Sequence, residues 1–97
     1  MGEKPVVGFV GVGLMGWGMA KNIVEKGWPL RVVAHRKREA VDDLVQRGAV
    51  ESQSVEAMGG QVEIAILCVT GAPQVDEAVA KLTGPGSTVK TIIDAST

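Results

Sequence analysis

Gly11, Gly13 and Gly16 stand at the spacing Gly-x-Gly-x-x-Gly, and what they contribute is the absence of side chains. The apolar run Val6–Val10 leads into them, and an apolar, helix-compatible stretch opens behind them at Leu14. Gly11 permits a tight turn off a strand, and Gly13 leaves the backbone open to an approaching diphosphate. Gly16 lets the following helix close on the strand. The unpaired N–H groups of that helix's first turn, with the helix dipole behind them, would face the anion. The same glycines also suit a βα turn that binds nothing. The strand before them, the amphipathic helix after them and a second strand about twenty residues on favour a dinucleotide site.

A second group of chemically capable residues is His35-Arg36-Lys37-Arg38. At the end of the second strand an NAD or FAD site usually carries an acid that accepts the ribose 2′-hydroxyl. This chain places cations there instead. An aspartate would repel a 2′-phosphate, whereas a guanidinium grips one with paired hydrogen bonds. The run therefore predicts that NADP(H) is favoured over NAD(H), with Arg36 as the first contact, Lys37 or Arg38 adding charge and His35 beside the adenine. The alternative is a solvated basic loop balanced by Glu39, Asp42 and Asp43. Cys68 has no histidine near it in sequence, so it reads as a small buried residue at a strand end rather than a nucleophile. Of the two tryptophans, Trp28 reads as packing, and Trp17 as facing the cofactor or a domain interface.

Alternating strands and helices must position these groups. Strands are predicted at Val6–Val10, Leu30–Ala34, Ala49–Glu51, Val62–Val69 and Thr91–Ala95. Helices are predicted at Leu14–Lys26, Arg38–Arg47, Val55–Met58 and Pro73–Leu82. Gly27 and Gly48 suit helix C-termini, Ser54 an N-cap and Pro73 a first helical turn. Met15, Met19, Ala20, Ile23 and Val24 should line the inner face of the first helix, and Val41, Leu44 and Val45 that of the second. Val62–Val69 is nearly all apolar and should be a central strand buried on both faces. Right-handed crossovers then give an α/β fold, a Rossmann-type doubly wound parallel sheet of order 3-2-1-4-5. The chain stops as its fifth strand finishes, so residues 1–97 read as part of a dinucleotide-binding domain, the amino-terminal piece of something longer.

With 97 residues, 45% hydrophobic and 22% charged, the chain is an ordinary globular domain with one core. A net charge of −1 gives no sign of nucleic acid or an anionic membrane as partner. One cysteine and one histidine cannot form a disulfide framework or a structural zinc site. Neither a leader nor a bilayer-length apolar run is visible, which predicts a soluble, cytoplasmic protein.

Beyond the glycines, GVGLMGWGMAKN resembles the opening of the β-hydroxyacid dehydrogenase family, through Gly11, Gly13, Met15, Gly16, Met19, Ala20 and Asn22. That family includes 3-hydroxyisobutyrate dehydrogenase and, more distantly, 6-phosphogluconate dehydrogenase. Asp94-Ala95-Ser96-Thr97 is similar to its Asp-x-Ser-Thr segment, and Cys68-Val69-Thr70 with Pro73 and Val75-Asp76 also fits. The resemblance implies cofactor contacts at Gly11, Val12, Gly13, Leu14, Met15 and Gly16, at Cys68, Val69 and Pro73, and at Thr97. Ser96 would meet the substrate carboxylate. It implies hydride transfer to or from a small 3-hydroxy acid or semialdehyde, in a homo-oligomer when full length. An imine or ketone reductase on the same half-domain, or a non-catalytic dinucleotide-binding module, are the alternatives. The family's catalytic lysine lies in a helical domain. Lys4, Lys21, Lys26, Lys37, Lys81 and Lys90 all stand in other contexts, so no catalytic residue is expected in this chain.

Overall fold

A computed structural model describes residues 4–11, 14–33, 38–68 and 72–95. Strands and helices alternate throughout: β1 (Val7–Val10), α1 (Leu14–Glu25), β2 (Leu30–Val32), α2 (Glu39–Gln46), β3 (Val50–Glu51), α3 (Val55–Gly59), β4 (Ile64–Leu67), α4 (Ala72–Leu82) and β5 (Thr91–Asp94). The strands form one parallel sheet in the order β3-β2-β1-β4-β5. This is the doubly wound, Rossmann-type topology expected. From β1 the chain builds outward through β2 and β3, then crosses back to place β4 on the other side of β1. The carboxyl ends of β1 and β4 therefore flank the topological switch point, where ligands of such sheets sit.

Register assigns the faces. Val32, Phe9, Ile66 and Ile93 stand side by side in one row, and Arg31, Gly8, Ala65 and Ile92 in the next. Paired neighbours share a face and consecutive rows alternate. On the first face α1 and α2 lay Ala20, Val41 and Leu44 against Val7, Phe9, Leu30 and Val32. On the second, α3 and α4 lay Met58, Ala78 and Leu82 against Val10, Ala65 and Leu67. Gly8 is the contact on which the second layer rests, because a Cβ there would lie 2.6 Å from Met58 Sδ. Among the described residues no buried side-chain polar atom lacks a hydrogen-bond partner.

Local signals act as their chemistry dictates. Ser54 is extended at the start of α3, and its hydroxyl accepts from the Ala57 N–H at 3.0 Å. Gly27 and Gly48 follow α1 and α2 with φ of +90° and +119°.

Two packing expectations are corrected. Val45 is 41% exposed. Val41 and Leu44 define the inward direction of α2, and at 100° per residue Val45 lies roughly 70° off it, on the flank of a narrow stripe. The central strand is also shorter and less enclosed than Val62–Val69: Ala65 and Leu67 are fully buried, but Ile64 and Ile66 on the α1 face are only half-buried. That face is covered above β1 and β2 by α1 and α2, and Ile93 beyond it is 47% exposed.

Candidate dinucleotide-binding site

The end of β1 and the start of α1 meet by close contact. Gly11 leaves β1 with φ +90°, a left-handed conformation that favours glycine. A Cβ on Gly16 would stand 2.6 Å from the Gly11 carbonyl oxygen and 3.0 Å from Phe9 Cε1. Gly16 thus seats the first turn of α1 directly on the end of β1, as its place in the motif predicts. That first turn contains no acidic residue, whereas α2 carries Glu39 and Asp42 in its own. The amino end of α1, with no acid in its own first turn, adjoins the switch point. Val12 and Gly13 lie outside the described residues, as do the side chains of Leu14 and Met15.

On the far side of the switch point, Cys68 follows β4, and its N–H donates to the Val10 carbonyl at 2.9 Å. Its side chain is half-buried against the α1-side core, which suits a small residue at a strand end. Pro73 sits exposed in the first turn of α4. β5 ends with Asp94 beside Leu67 at the same carboxyl edge. Val69, Ser96 and Thr97 lie outside the described residues. Gly11, Gly16, Cys68, Pro73 and Asp94 are thus all drawn to one edge of the sheet.

The adenosine side of this edge lies over the end of β2. His35, Arg36 and Lys37 lie outside the described residues, and Arg38 closes the run as the N-cap residue of α2. Its guanidinium donates from Nη1 to Glu51 Oε2 at 3.0 Å and from Nη2 to Glu51 Oε1 at 2.8 Å. Nη2 also reaches Asp42 Oδ1 at 3.3 Å. The hydrogen bonds from Arg38 hold the Glu51 carboxyl below the usual carboxylate range, and Glu51 in turn raises Arg38. Sequence reasoning set Asp42 against this run and overlooked Glu51, which lies across the β2–β3 pairing.

Trp17, in the first turn of α1, is engaged by α2. Its indole Nε1 donates to Asp43 Oδ2 at 2.7 Å, with Lys21 Nζ 5.2 Å from the ring centre. Arg47 joins the same carboxylate through Nε at 2.8 Å and reaches Glu25 through Nη1 at 2.5 Å. The result is a polar latch between α1 and α2. Hydrogen bonds from Arg47 and then Trp17 hold the Asp43 carboxyl below its ordinary value. Trp28 packs on the α1-side core with Lys4 Nζ 5.6 Å from its ring, as expected.

A glycine-seated βα turn at the switch point of a parallel sheet, with an acid-free helix end beside it, defines a domain that binds a dinucleotide. The chain belongs to the family of the NAD binding domain of 6-phosphogluconate dehydrogenase, which residues 6–97 match. It is 31% identical over 74 residues to the uncharacterized oxidoreductase YkwC of Bacillus subtilis strain 168, a match covering 76% of this chain and 25% of that protein. Among solved structures, a putative oxidoreductase from Mycobacterium avium 104 shares 28% identity and a TM-score of 0.81, over 97% of this chain and 33% of that one. An imine reductase from Pseudomonas sp. shares the fold at a TM-score of 0.82 and 24% identity, over 97% of this chain and 33% of its own. The chain is thus a domain of a nicotinamide-dinucleotide-binding family, and it spans a quarter to a third of the length of these relatives. No helix among the described residues is long and apolar enough to cross a membrane.

Proposed function

We propose that this domain binds NADP(H) in preference to NAD(H), for an oxidoreductase that moves hydride between the nicotinamide and a small 3-hydroxy acid or its semialdehyde. The observation that carries the cofactor reading is Gly16 seated against the Gly11 carbonyl, which sets the acid-free first turn of α1 at the switch point. When bound, the nicotinamide supplies the hydride. Gly11 to Gly16 receive the diphosphate. Cys68, Val69, Pro73 and Thr97 line the nicotinamide half, with Ser96 toward the substrate carboxylate. Arg36 takes the 2′-phosphate, with Lys37 or Arg38 adding charge and His35 at the adenine. The substrate class rests on the likeness of Asp94-Ala95-Ser96-Thr97 to the family segment, and β5 does bring Asp94 to the shared edge. A lysine outside these 97 residues handles the hydroxyl proton.

A second reading, an imine or ketone reductase, draws support from the imine reductase that shares this fold. Full-length protein assayed with NADPH against short semialdehydes and cyclic imines separates the two. Reduction of semialdehydes, with oxidation of 3-hydroxy acids in reverse, supports the first. Turnover of imines alone replaces it with the second. Cofactor binding without turnover of either leaves a non-catalytic module.

A further inference from the structure

Among the described residues, the hydrogen-bonded cluster at the start of α2 holds one cation and two anions. Arg38 is gripped through both terminal nitrogens by Glu51 and touched again by Asp42. All three side chains reach solvent, with 56%, 34% and 58% of their areas exposed for Arg38, Glu51 and Asp42. Exposed pairs of this kind add little to stability, so the arrangement matters more for where it places charge. Glu51 is the last residue of β3 and pairs with Val32 at the end of β2, the strand end over which the adenosine ribose of such a site lies. A 2′-phosphate arriving there meets a guanidinium whose charge is already more than matched.

We propose that Glu51 is a specificity-determining residue: by holding Arg38 against β3 it withholds that cation from the 2′-phosphate and limits the discrimination of NADP(H) from NAD(H). The inference rests on the dinucleotide reading above. It does not require NADP(H) to be the preferred cofactor, since Glu51 acts on the ratio of the two affinities whatever its starting value. Asp42 acts in the same direction and more weakly, through one longer hydrogen bond. Phosphate selectivity then falls mainly to Arg36 and Lys37, with Glu51 setting how far Arg38 can join them.

The test is titration of the intact protein with NADPH and NADH at low ionic strength, followed by the nicotinamide fluorescence. Glu51→Gln removes the charge and should tighten NADPH about three- to tenfold while leaving NADH within about twofold. Glu51→Asp keeps the charge and should keep the wild-type ratio. Adding Arg38→Ala to Glu51→Gln should erase the gain, because the gain is the release of that guanidinium. Should Glu51→Gln fail to fold, Asp42→Asn should move the ratio in the same direction by less. An unchanged ratio in the charge-removing variant, a ratio shifted toward NADH, or a gain that survives Arg38→Ala overturns the proposal. A wild-type preference for NADH overturns the NADP(H) reading instead, and the two failures are read separately.

Discussion

The two βα joints on the α1 face of the sheet are made by different physics. At the first, Gly16 meets the Gly11 carbonyl with no room for a methyl group, so α1 has one seat on β1. At the second, beyond the packing of Val41 and Leu44, the ends of α2 are tied by charges that reach water: Arg38 to Glu51 at its start, and Arg47 to Glu25 at its end. Steric seating is insensitive to salt and pH and tolerates almost no substitution. Charge seating is screened, adjustable by single residues and weak in stability. The division suits the ligand. On the proposed reading, the diphosphate common to all dinucleotides would meet the first joint, and the 2′ position that distinguishes NADP(H) from NAD(H) would meet the second.

The largest effect is expected at the glycines of α1. Gly16→Ala should cost about 1–3 kcal/mol by overpacking, since backbone oxygen and an aromatic ring stand in the way of the new methyl group. It should also weaken NADPH and NADH alike, because the displaced helix end serves their common diphosphate. Gly18, two residues along the same helix, has nothing within 4 Å of the place a Cβ would occupy. Gly18→Ala should therefore stabilise by about 0.5–1 kcal/mol through helix propensity. Urea unfolding midpoints of the two variants should move in opposite directions. Similar shifts would mean that the seat on β1 is not the constraint.

At the second joint the effect should be selective. Arg36→Ala should weaken NADPH by about 1.5–3 kcal/mol, the loss of a charge-assisted phosphate contact, and leave NADH nearly unchanged. Titrating both cofactors against one variant gives the answer. Equal losses would make the basic run a general anion attractor and remove the contrast between the joints.

What the sequence made legible follows the same division. Strand order, helix placement and the tasks of Gly11 and Gly16 could be read because they depend on local signals: an apolar run, a glycine spacing, a capping serine at Ser54. Residues whose meaning depends on a partner far along the chain were harder. Glu51 is only the last residue of a predicted short strand until the fold brings it to Arg38, thirteen residues away. The expectation that Trp17 faces the cofactor or a domain interface left out Asp43 on α2, 26 residues on, to which its indole donates. Gly8 had a readable signal, an isolated glycine inside a strand, which marks close approach by another element. The overestimated burial of Val45 and of Ile64 and Ile66 has one cause. Hydrophobicity reports which residues could be buried, and only the placement of neighbouring helices decides how completely.

The smallest effect concerns the latch at the far end of α2. Asp43 is held below its ordinary value, first by the hydrogen bond from Arg47 and then by that from Trp17, and Glu51 is held low by Arg38. A carboxyl group with a lower pKa folded than unfolded takes up a proton on unfolding. Its contribution to stability is therefore complete above the unfolded value near 4 and is lost as pH falls through the depressed folded value. The urea midpoint should accordingly be flat around neutrality and decline below about pH 4. Asp43→Asn should lower the midpoint at neutral pH and make the acid decline shallower, because one of the carboxylates that drives it is gone. Trp17→Phe should do the same to a lesser degree, since Arg47 still holds the carboxylate. Both differences should shrink in high salt, whereas the gap between Gly16→Ala and Gly18→Ala should persist. An acid decline in Asp43→Asn as steep as in the wild-type protein would show that the latch does not couple α1 to α2 through charge. The seating of α2 would then have to come from the packing of Val41 and Leu44 alone.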